Sequence, residues 1–286
     1  MAKNNNWIDL QSNTQGAYCN LHFSNFNVMS KEEAISYNIE QITKKYDNLF
    51  VAMSGGISSE FVAESLKKRG IKFKPMIVDF ELNSAEVWYA YKWCYENKAA
   101  PGIIKLPLET MINQLPQFAR HLNTRYISTL ELIIEKYASH RSGHVLLGGS
   151  SPFTNLSVFK DRLHEPMLDD LNLFSYNFGL DLAFGDKHPS SFITYTPELF
   201  YSFVRDVDYL KPTQIAMSEY FGVDPRPQFN QEYNFLLSPE LADASKSVNI
   251  GSRLYNFSIG KKAEFLEAAA RKEVVPCKVT TLSETG

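Results

Sequence analysis

Cysteine is scarce in this chain of 286 residues, which has only Cys19, Cys94 and Cys277. The three lie far apart along the sequence, and none belongs to a CxxC pair. Structural zinc sites and iron–sulfur clusters are usually held by closely spaced thiolates, so we expect neither kind of site. An odd number of dispersed cysteines indicates free thiols, as in a reducing compartment.

Long apolar runs and an excess of basic residues are also missing. No segment approaches the roughly 18 consecutive apolar residues of a membrane span, and residues 1–6 are polar, unlike a signal peptide. The formal net charge is −3, whereas proteins that bind nucleic acid usually carry a basic excess. We therefore expect a cytoplasmic protein without a membrane partner, and nucleic acid is not favoured as a partner.

The first half of the sequence alternates apolar runs with helical periodicity. The apolar runs predict strands at residues 49–53, 73–80, 103–106 and 145–147. Helices are predicted before and between the first three strands; the first of them starts at a capping box formed by Ser30 and Glu33 and runs to about residue 46. This order indicates βαβ units, and hence an α/β fold with a parallel sheet flanked by helices.

The alternation stops near residue 150. Beyond it, helical signals cover residues 197–206, 212–221 and 261–273, without clear strands. No linker rich in Gly, Ser or Pro separates the two halves. We predict three segments: an N-terminal arm and helix (1–47), an α/β core (48–155) and a mainly helical extension that binds an acceptor (156–286).

The junction between the first predicted strand and its helix reads AMSGGISSEF, residues 52–61. Gly55 and Gly56 have no Cβ, so an oxyanion can approach the backbone closely. The amides of residues 55–59 start a helix, where unpaired N–H groups and the helix dipole favour an anion. The pattern predicts a phosphate or pyrophosphate cradle, and a tight turn with helix-capping serines is the alternative. Hydroxyl donors to the anion are available from Ser54, Ser58 and Ser59.

This junction resembles the PP-loop of the ATP pyrophosphatase superfamily, S-G-G-x-D-S after the first strand of a Rossmann-like, HUP-type sheet. Relatives in that superfamily include asparagine synthetase, the 7-cyano-7-deazaguanine synthases and the adenylyl-sulfate reductases. The resemblance covers residues 48–150, and Ser58 replaces the aspartate of the pattern. The matching residues are Ser54, Gly55, Gly56, Ile57 and Ser59.

The resemblance implies that ATP places its β- and γ-phosphates on residues 54–59, with Mg²⁺ bridging the phosphates. An acceptor oxygen would attack the α-phosphorus and release pyrophosphate, and a nucleophile such as ammonia would then displace AMP. The adenine would rest on Val78, Asp79 and Phe80. A second loop would close over the ribose and α-phosphate with Gly148, Gly149 and Ser150.

Several roles are open at this point. With Ser58 in the loop, Asp79 or Glu81 is expected to supply the carboxylate for Mg²⁺, while Ser54, Ser59, Asp79 and Lys160 are the candidates for catalysis. A solvated charged loop is the alternative interpretation of Lys160.

Partners and reaction type are open as well. The acceptor is expected to be a small molecule, with ammonia or sulfur supplied from solution or by a separate protein, and a homo-oligomer is left open. Two other functions compete with the ligase: a reductase acting on a sulfated nucleotide, which would use Cys277, and a nucleotide-binding protein without turnover.

Overall fold

The computed structural model describes residues 7–13, 16–79, 83–107, 109–110, 113, 143–148, 167–170, 191–208, 211, 213–226 and 254–282. Within these ranges the chain forms nine strands and six helices. The strands are β1 (Ile8–Asn13), β2 (Gly16–His22), β3 (Leu49–Ala52), β4 (Phe73–Asp79), β5 (Gly102–Lys105), β6 (His144–Leu146), β7 (Met167–Asp170), β8 (Leu254–Lys261) and β9 (Val274–Leu282). The helices are α1 (Lys31–Lys45), α2 (Ile57–Lys68), α3 (Ser84–Glu96), α4 (Pro197–Asp206), α5 (Thr213–Phe221) and α6 (Lys262–Ala270).

The four strands predicted in the first half form one parallel sheet in the order β5-β4-β3-β6. Its central strand β3 is buried along its whole length, as the uninterrupted apolar run predicts. Helices α2 and α3 connect β3 to β4 and β4 to β5. The α/β fold class predicted from the sequence is therefore confirmed.

Local signals set the ends of the helices around this sheet. At the start of α1 the Ser30 hydroxyl accepts a hydrogen bond from the Glu33 amide, and the Glu33 carboxylate accepts one from the Ser30 amide at 2.9 Å. This is the predicted capping box. Helix α2 is followed by Gly70 at a φ of +68°, a left-handed conformation that stops a helix and favours glycine.

A second sheet, which the sequence analysis did not predict, joins the two ends of the chain. It is antiparallel, in the order β1-β2-β9-β8-β7. The extension was expected to be mainly helical, and its three predicted helices are present as α4, α5 and α6. Strands β8 and β9 were missed because β8 pairs with β7 and β9 pairs with β2, both far away along the chain, and because Pro276 lies inside β9, where a proline argues against a central strand.

Aromatic side chains fill the space between this second sheet and the helices of the extension. The ring centroids of Trp7 and Phe200 are 5.5 Å apart, as are those of Phe23 and Phe265. The same apolar core continues beneath the parallel sheet, where it includes Val51. The division into arm, core and extension stays a prediction.

A buried polar contact fixes α1 against the segment that leads into α4. The Asn38 side chain is fully buried, and its Nδ2 donates to the Phe192 carbonyl at 3.0 Å. Its Oδ1 accepts from the Thr196 hydroxyl at 2.8 Å. Thr196 also caps α4.

Of the helices described, none combines the length and apolar character of a membrane span.

Candidate phosphate-binding site

The strand order places the predicted phosphate loop at a reversal point of the parallel sheet. From β3 the chain first moves outward on one side, through β4 to β5, and then returns to add β6 on the other side. The loop that follows β3, residues 53–56, therefore lies at the carboxyl edge between two strands whose connections run in opposite directions. Open α/β sheets bind their ligands in the crevice at such a point.

Gly55 is required by the fold of this loop. Its φ is +90°, and a Cβ at this position would lie only 1.8 Å from the carbonyl oxygen of Glu86. Gly55 therefore lets the first turn of α3 pack directly on the loop. Gly56 is partly exposed and has an ordinary φ of −73°. The close approach of a phosphate therefore explains a glycine at position 56 better than at position 55.

Two serine hydroxyls hold the loop in shape. The Ser59 hydroxyl donates to the Gly56 carbonyl at 2.9 Å and is buried. The Gly56 amide donates to the Ser54 hydroxyl at 3.3 Å, and the two hydroxyls are 3.4 Å apart. Ser54 is exposed and Ser58 is partly exposed, whereas Ser59 is buried.

The start of α2 has no side-chain cap. Its N-cap is Gly56, which makes no side-chain cap hydrogen bond. The first intrahelical bond is the one from the Glu60 amide to the Gly56 carbonyl at 3.2 Å. The preceding helical amides, of Ile57 and Ser58 among them, have no intrahelical acceptor by the geometry of a helix.

The structure brings Gly148, the first residue of the second predicted loop, directly against α2. A Cβ on Gly148 would lie 2.7 Å from the backbone of both Ser58 and Ser59. The segment after β6 therefore borders the phosphate loop, and its closure over the ribose and α-phosphate stays a prediction. Gly149 and Ser150 lie outside the described residues.

The strand expected to hold the adenine presents backbone groups that are already engaged. The Val78 carbonyl accepts a hydrogen bond from the Asn83 side chain at 2.8 Å, and the Asp79 carbonyl accepts one from the Leu106 amide at 2.8 Å. Phe80, the third residue of this prediction, lies outside the described residues.

No metal centre is built into the described part of the chain. In those residues no group of three or more His, Cys, Asp or Glu side chains is arranged to hold a metal ion. Asp79 lies at the carboxyl end of β4 with its side chain partly exposed. One carboxylate fits Mg²⁺ when phosphate oxygens and water supply the other ligands. Glu81 and Lys160 lie outside the described residues.

Arg226, which the sequence analysis missed, holds the phosphate loop from its far side. Its Nε donates to the Gly55 carbonyl at 2.9 Å, and its guanidinium pairs with the Glu60 carboxylate in the first turn of α2. The guanidinium also lies 4.4 Å from the centre of the Tyr89 ring of α3. Residues 226 and 55 are 171 positions apart, so no local sequence pattern connects them.

Burial raises the pKa of the Glu86 carboxyl, and the backbone of this residue contacts Gly55.

No protein-family model matches the sequence, and no curated protein matches it. Three solved structures are similar to the chain at low identity. An NH3-dependent NAD synthetase from Campylobacter jejuni is 13% identical, with a TM-score of 0.34 over 85% of this chain and 93% of that chain. A predicted subunit of tRNA methyltransferase from Methanocaldococcus jannaschii is 14% identical, with a TM-score of 0.33 over 64% of this chain and 94% of that chain. An NMN synthetase from Francisella tularensis is 11% identical, with a TM-score of 0.32 over 77% of this chain and 96% of that chain. Likeness this weak says nothing about what the chain binds.

Proposed function

We propose that residues 54–59 bind the polyphosphate of ATP and that the chain adenylylates a small acceptor, with release of pyrophosphate. A nucleophile of the ammonia type then displaces AMP from the acceptor. The observation that supports binding most is the uncapped start of α2 after Gly56, at the reversal point of a parallel sheet. The order of elements and the residues of the loop support the reaction through the PP-loop resemblance.

The physical basis of binding is charge and exposed N–H groups. The dipole of α2 and the amides of Ile57 and Ser58 attract an anion at the helix start. A single charge at such a position gains about 0.3–1 kcal/mol from the dipole, so affinity must come from several hydrogen bonds together. The partly exposed hydroxyl of Ser58 adds a further donor, whereas the Ser54 hydroxyl donates its proton to Ser59.

Mg²⁺ fits this site through Asp79. The ion usually takes oxygen ligands from one or two carboxylates and from the phosphates of its nucleotide. Asp79 would provide the carboxylate, and the ion would neutralise charge on the leaving pyrophosphate.

A nucleotide-binding protein without turnover is the second candidate, and Ser58 is the observation that favours it. A serine hydroxyl is a neutral and weaker magnesium ligand than the aspartate of the PP-loop pattern. Binding would survive this replacement, because the amides are unchanged, whereas catalysis through the metal would be weakened.

Protection from thermal unfolding tests binding. Pyrophosphate and ATP should raise the melting temperature of the protein, and AMP should raise it less because it lacks the β- and γ-phosphates. A ligand at a hundred times its Kd stabilises the folded state by about 2.7 kcal/mol. If none of the three ligands shifts the melting temperature, the proposed site does not exist.

Two glycine variants connect this protection to the loop. In Gly55→Ala, the methyl group would overlap the Glu86 carbonyl, so protection by pyrophosphate should be lost. Gly222→Ala is the matched control, because Gly222 also has a positive φ, +66°, but nothing lies within 4 Å of a Cβ there. The control carries the backbone strain of about 1–3 kcal/mol and should keep its protection.

A pyrophosphate-release assay separates the two candidate functions. With ATP, Mg²⁺, ammonium and a panel of small carboxylic acids, the ligase should release pyrophosphate with at least one acceptor. Binding without release across the panel would favour the second candidate.

A further inference from the structure

The side chain of Arg226 connects four groups around the phosphate loop. It bonds to the Gly55 carbonyl and to Glu60, its guanidinium packs on Tyr89, and its Nη1 donates to the Asp224 carbonyl at 3.2 Å. Only 8% of the side chain is exposed. A buried arginine with this many partners has one fixed orientation, since its planar group must satisfy all of them together.

The hydrogen bond from Arg226 to the Gly55 carbonyl also fixes the orientation of the next amide, that of Gly56. A trans peptide group is planar, and the carbonyl of one residue points opposite to the N–H of the next. The described residues contain no cis peptide bond. By holding the Gly55 oxygen at 2.9 Å, Arg226 therefore sets the direction of the Gly56 N–H.

This peptide group needs such an anchor because both of its residues are glycines. Glycine populates positive and negative φ about equally, so a peptide between two glycines rotates at little cost. A rotated peptide would point the Gly55 carbonyl, rather than the Gly56 amide, toward an approaching anion. The Gly56 amide donates to the Ser54 hydroxyl at the long distance of 3.3 Å.

Arg226 also cancels a charge that opposes anion binding. Glu60 lies in the first turn of α2, where a carboxylate competes with a phosphate for the positive end of the helix. Its ion pair with Arg226 leaves little net charge there, and only 22% of the Glu60 side chain is exposed.

We infer that Arg226 is a positioning residue of the phosphate site: it holds the peptide between Gly55 and Gly56 with the amide facing the anion. It acts from behind the loop, through the Gly55 carbonyl, and makes no contact of its own with the ligand. The inference rests on the proposed function, since it assigns a role in phosphate binding.

The test compares Arg226→Gln with Arg205→Gln, a matched control. Arg205 has the same three kinds of partner at another place in the fold: the Asp206 carboxylate, the Met29 carbonyl at 3.0 Å and the Tyr201 ring at 5.8 Å. Pyrophosphate affinity is measured by titration calorimetry, and melting temperature is recorded for each variant. A purely structural arginine would lower the melting temperature and leave the affinity of the folded protein unchanged.

We expect Arg226→Gln to weaken pyrophosphate binding roughly tenfold or more, the size of a lost hydrogen bond to a charged group. Arg205→Gln should keep the wild-type Kd. Arg226→Lys keeps the charge beside Glu60 but has no planar group to reach Gly55 as well, so its affinity should also fall. The pyrophosphate affinity of Arg226→Lys tests the inference if Arg226→Gln does not fold.

Equal pyrophosphate affinity in the wild type and in Arg226→Lys or Arg226→Gln would overturn the inference and leave the proposed function intact. Equal weakening in Arg226→Gln and Arg205→Gln would overturn it too. Absence of binding in the wild type, by contrast, is a failure of the proposed function itself, and the inference falls with it.

Discussion

Gly148 lies so close to Ser59 that a Cβ on the glycine would stand 2.7 Å from the Ser59 nitrogen. The segment after β6 thus packs on the peptide backbone at the start of α2. We predict that Gly148→Ala pushes these two segments apart, destabilises the fold by about 1–3 kcal/mol, as overpacking usually does, and weakens pyrophosphate binding. Urea unfolding and calorimetry measure the two effects.

Gly102→Ala is the control for this prediction. The nearest atom to a Cβ there is the flexible Lys74 Cε at 3.4 Å, an ordinary contact in another strand of the same sheet. Its pyrophosphate affinity should equal that of the wild type. Wild-type affinity in Gly148→Ala would show that the segment after β6 does not shape the phosphate site.

Ser58→Asp should make nucleotide binding depend more strongly on magnesium. Ser58 lies in the first turn of α2 and is partly exposed, so a carboxylate there gains about 0.3–1 kcal/mol from the helix dipole and the fold should tolerate it. Without Mg²⁺ the new charge repels ATP, and with Mg²⁺ it supplies a ligand. ATP titrations with Mg²⁺ and with a chelator measure the difference.

Ser58→Asn has nearly the shape of the aspartate variant without its charge, and its magnesium dependence should stay close to that of the wild type. If Ser58→Asp changes neither ATP affinity nor its response to Mg²⁺, then the Ser58 side chain does not face the phosphates.

The first half of the fold could be predicted because its signals are local. The capping box at Ser30, the buried run of β3 and the glycine stop at Gly70 each act within a few residues. The second sheet depends on the pairing of β2 with β9, whose residues Cys19 and Cys277 stand opposite each other across nearly the whole chain. No local pattern specifies such a partner.

The candidate site, too, could be predicted from the sequence only in part. The loop could be located from its glycines and from the strand before it, but the reason for Gly55 could not, since it is the carbonyl of Glu86. Arg226 could not be found at all, because its role depends on a contact across 171 positions. Sequence patterns locate a backbone cradle, whereas the side chains that support it come from tertiary packing.

Glu198 should make a contribution to stability that decreases as pH rises. Burial is the main cause that raises the pKa of its carboxyl above the ordinary 4.5; hydrogen bonds from backbone amides, including Asn27, oppose the shift. Below pH 4.5 both the folded and the unfolded state hold the proton. As pH rises above that value the unfolded state ionises first, so the free energy of unfolding decreases until the folded pKa is passed.

Glu198→Gln removes this titration. The free energy of unfolding of the variant, minus that of the wild type, should grow as pH rises above the ordinary carboxyl pKa of 4.5 and should level off once the folded-state pKa is passed. A constant offset from the new amide group does not affect this slope. Glu40→Gln, at an exposed ion pair with Lys44, is the control and should follow the wild type. Parallel curves for the wild type and Glu198→Gln would contradict the prediction.

The cysteine thiols should be unreactive in the folded protein. Cys19 and Cys277 are buried thiols outside any disulfide, and they lie opposite each other in β2 and β9. Cys94 is also buried, and burial raises the pKa of its thiol to about 11, which leaves almost no thiolate at neutral pH. A colorimetric thiol reagent should therefore label none of the three rapidly until denaturant is added. A reductase that uses Cys277 as its nucleophile requires the opposite, so rapid labelling of Cys277 in the folded protein, absent in Cys277→Ser and kept in Cys19→Ser, would favour the reductase over the ligase.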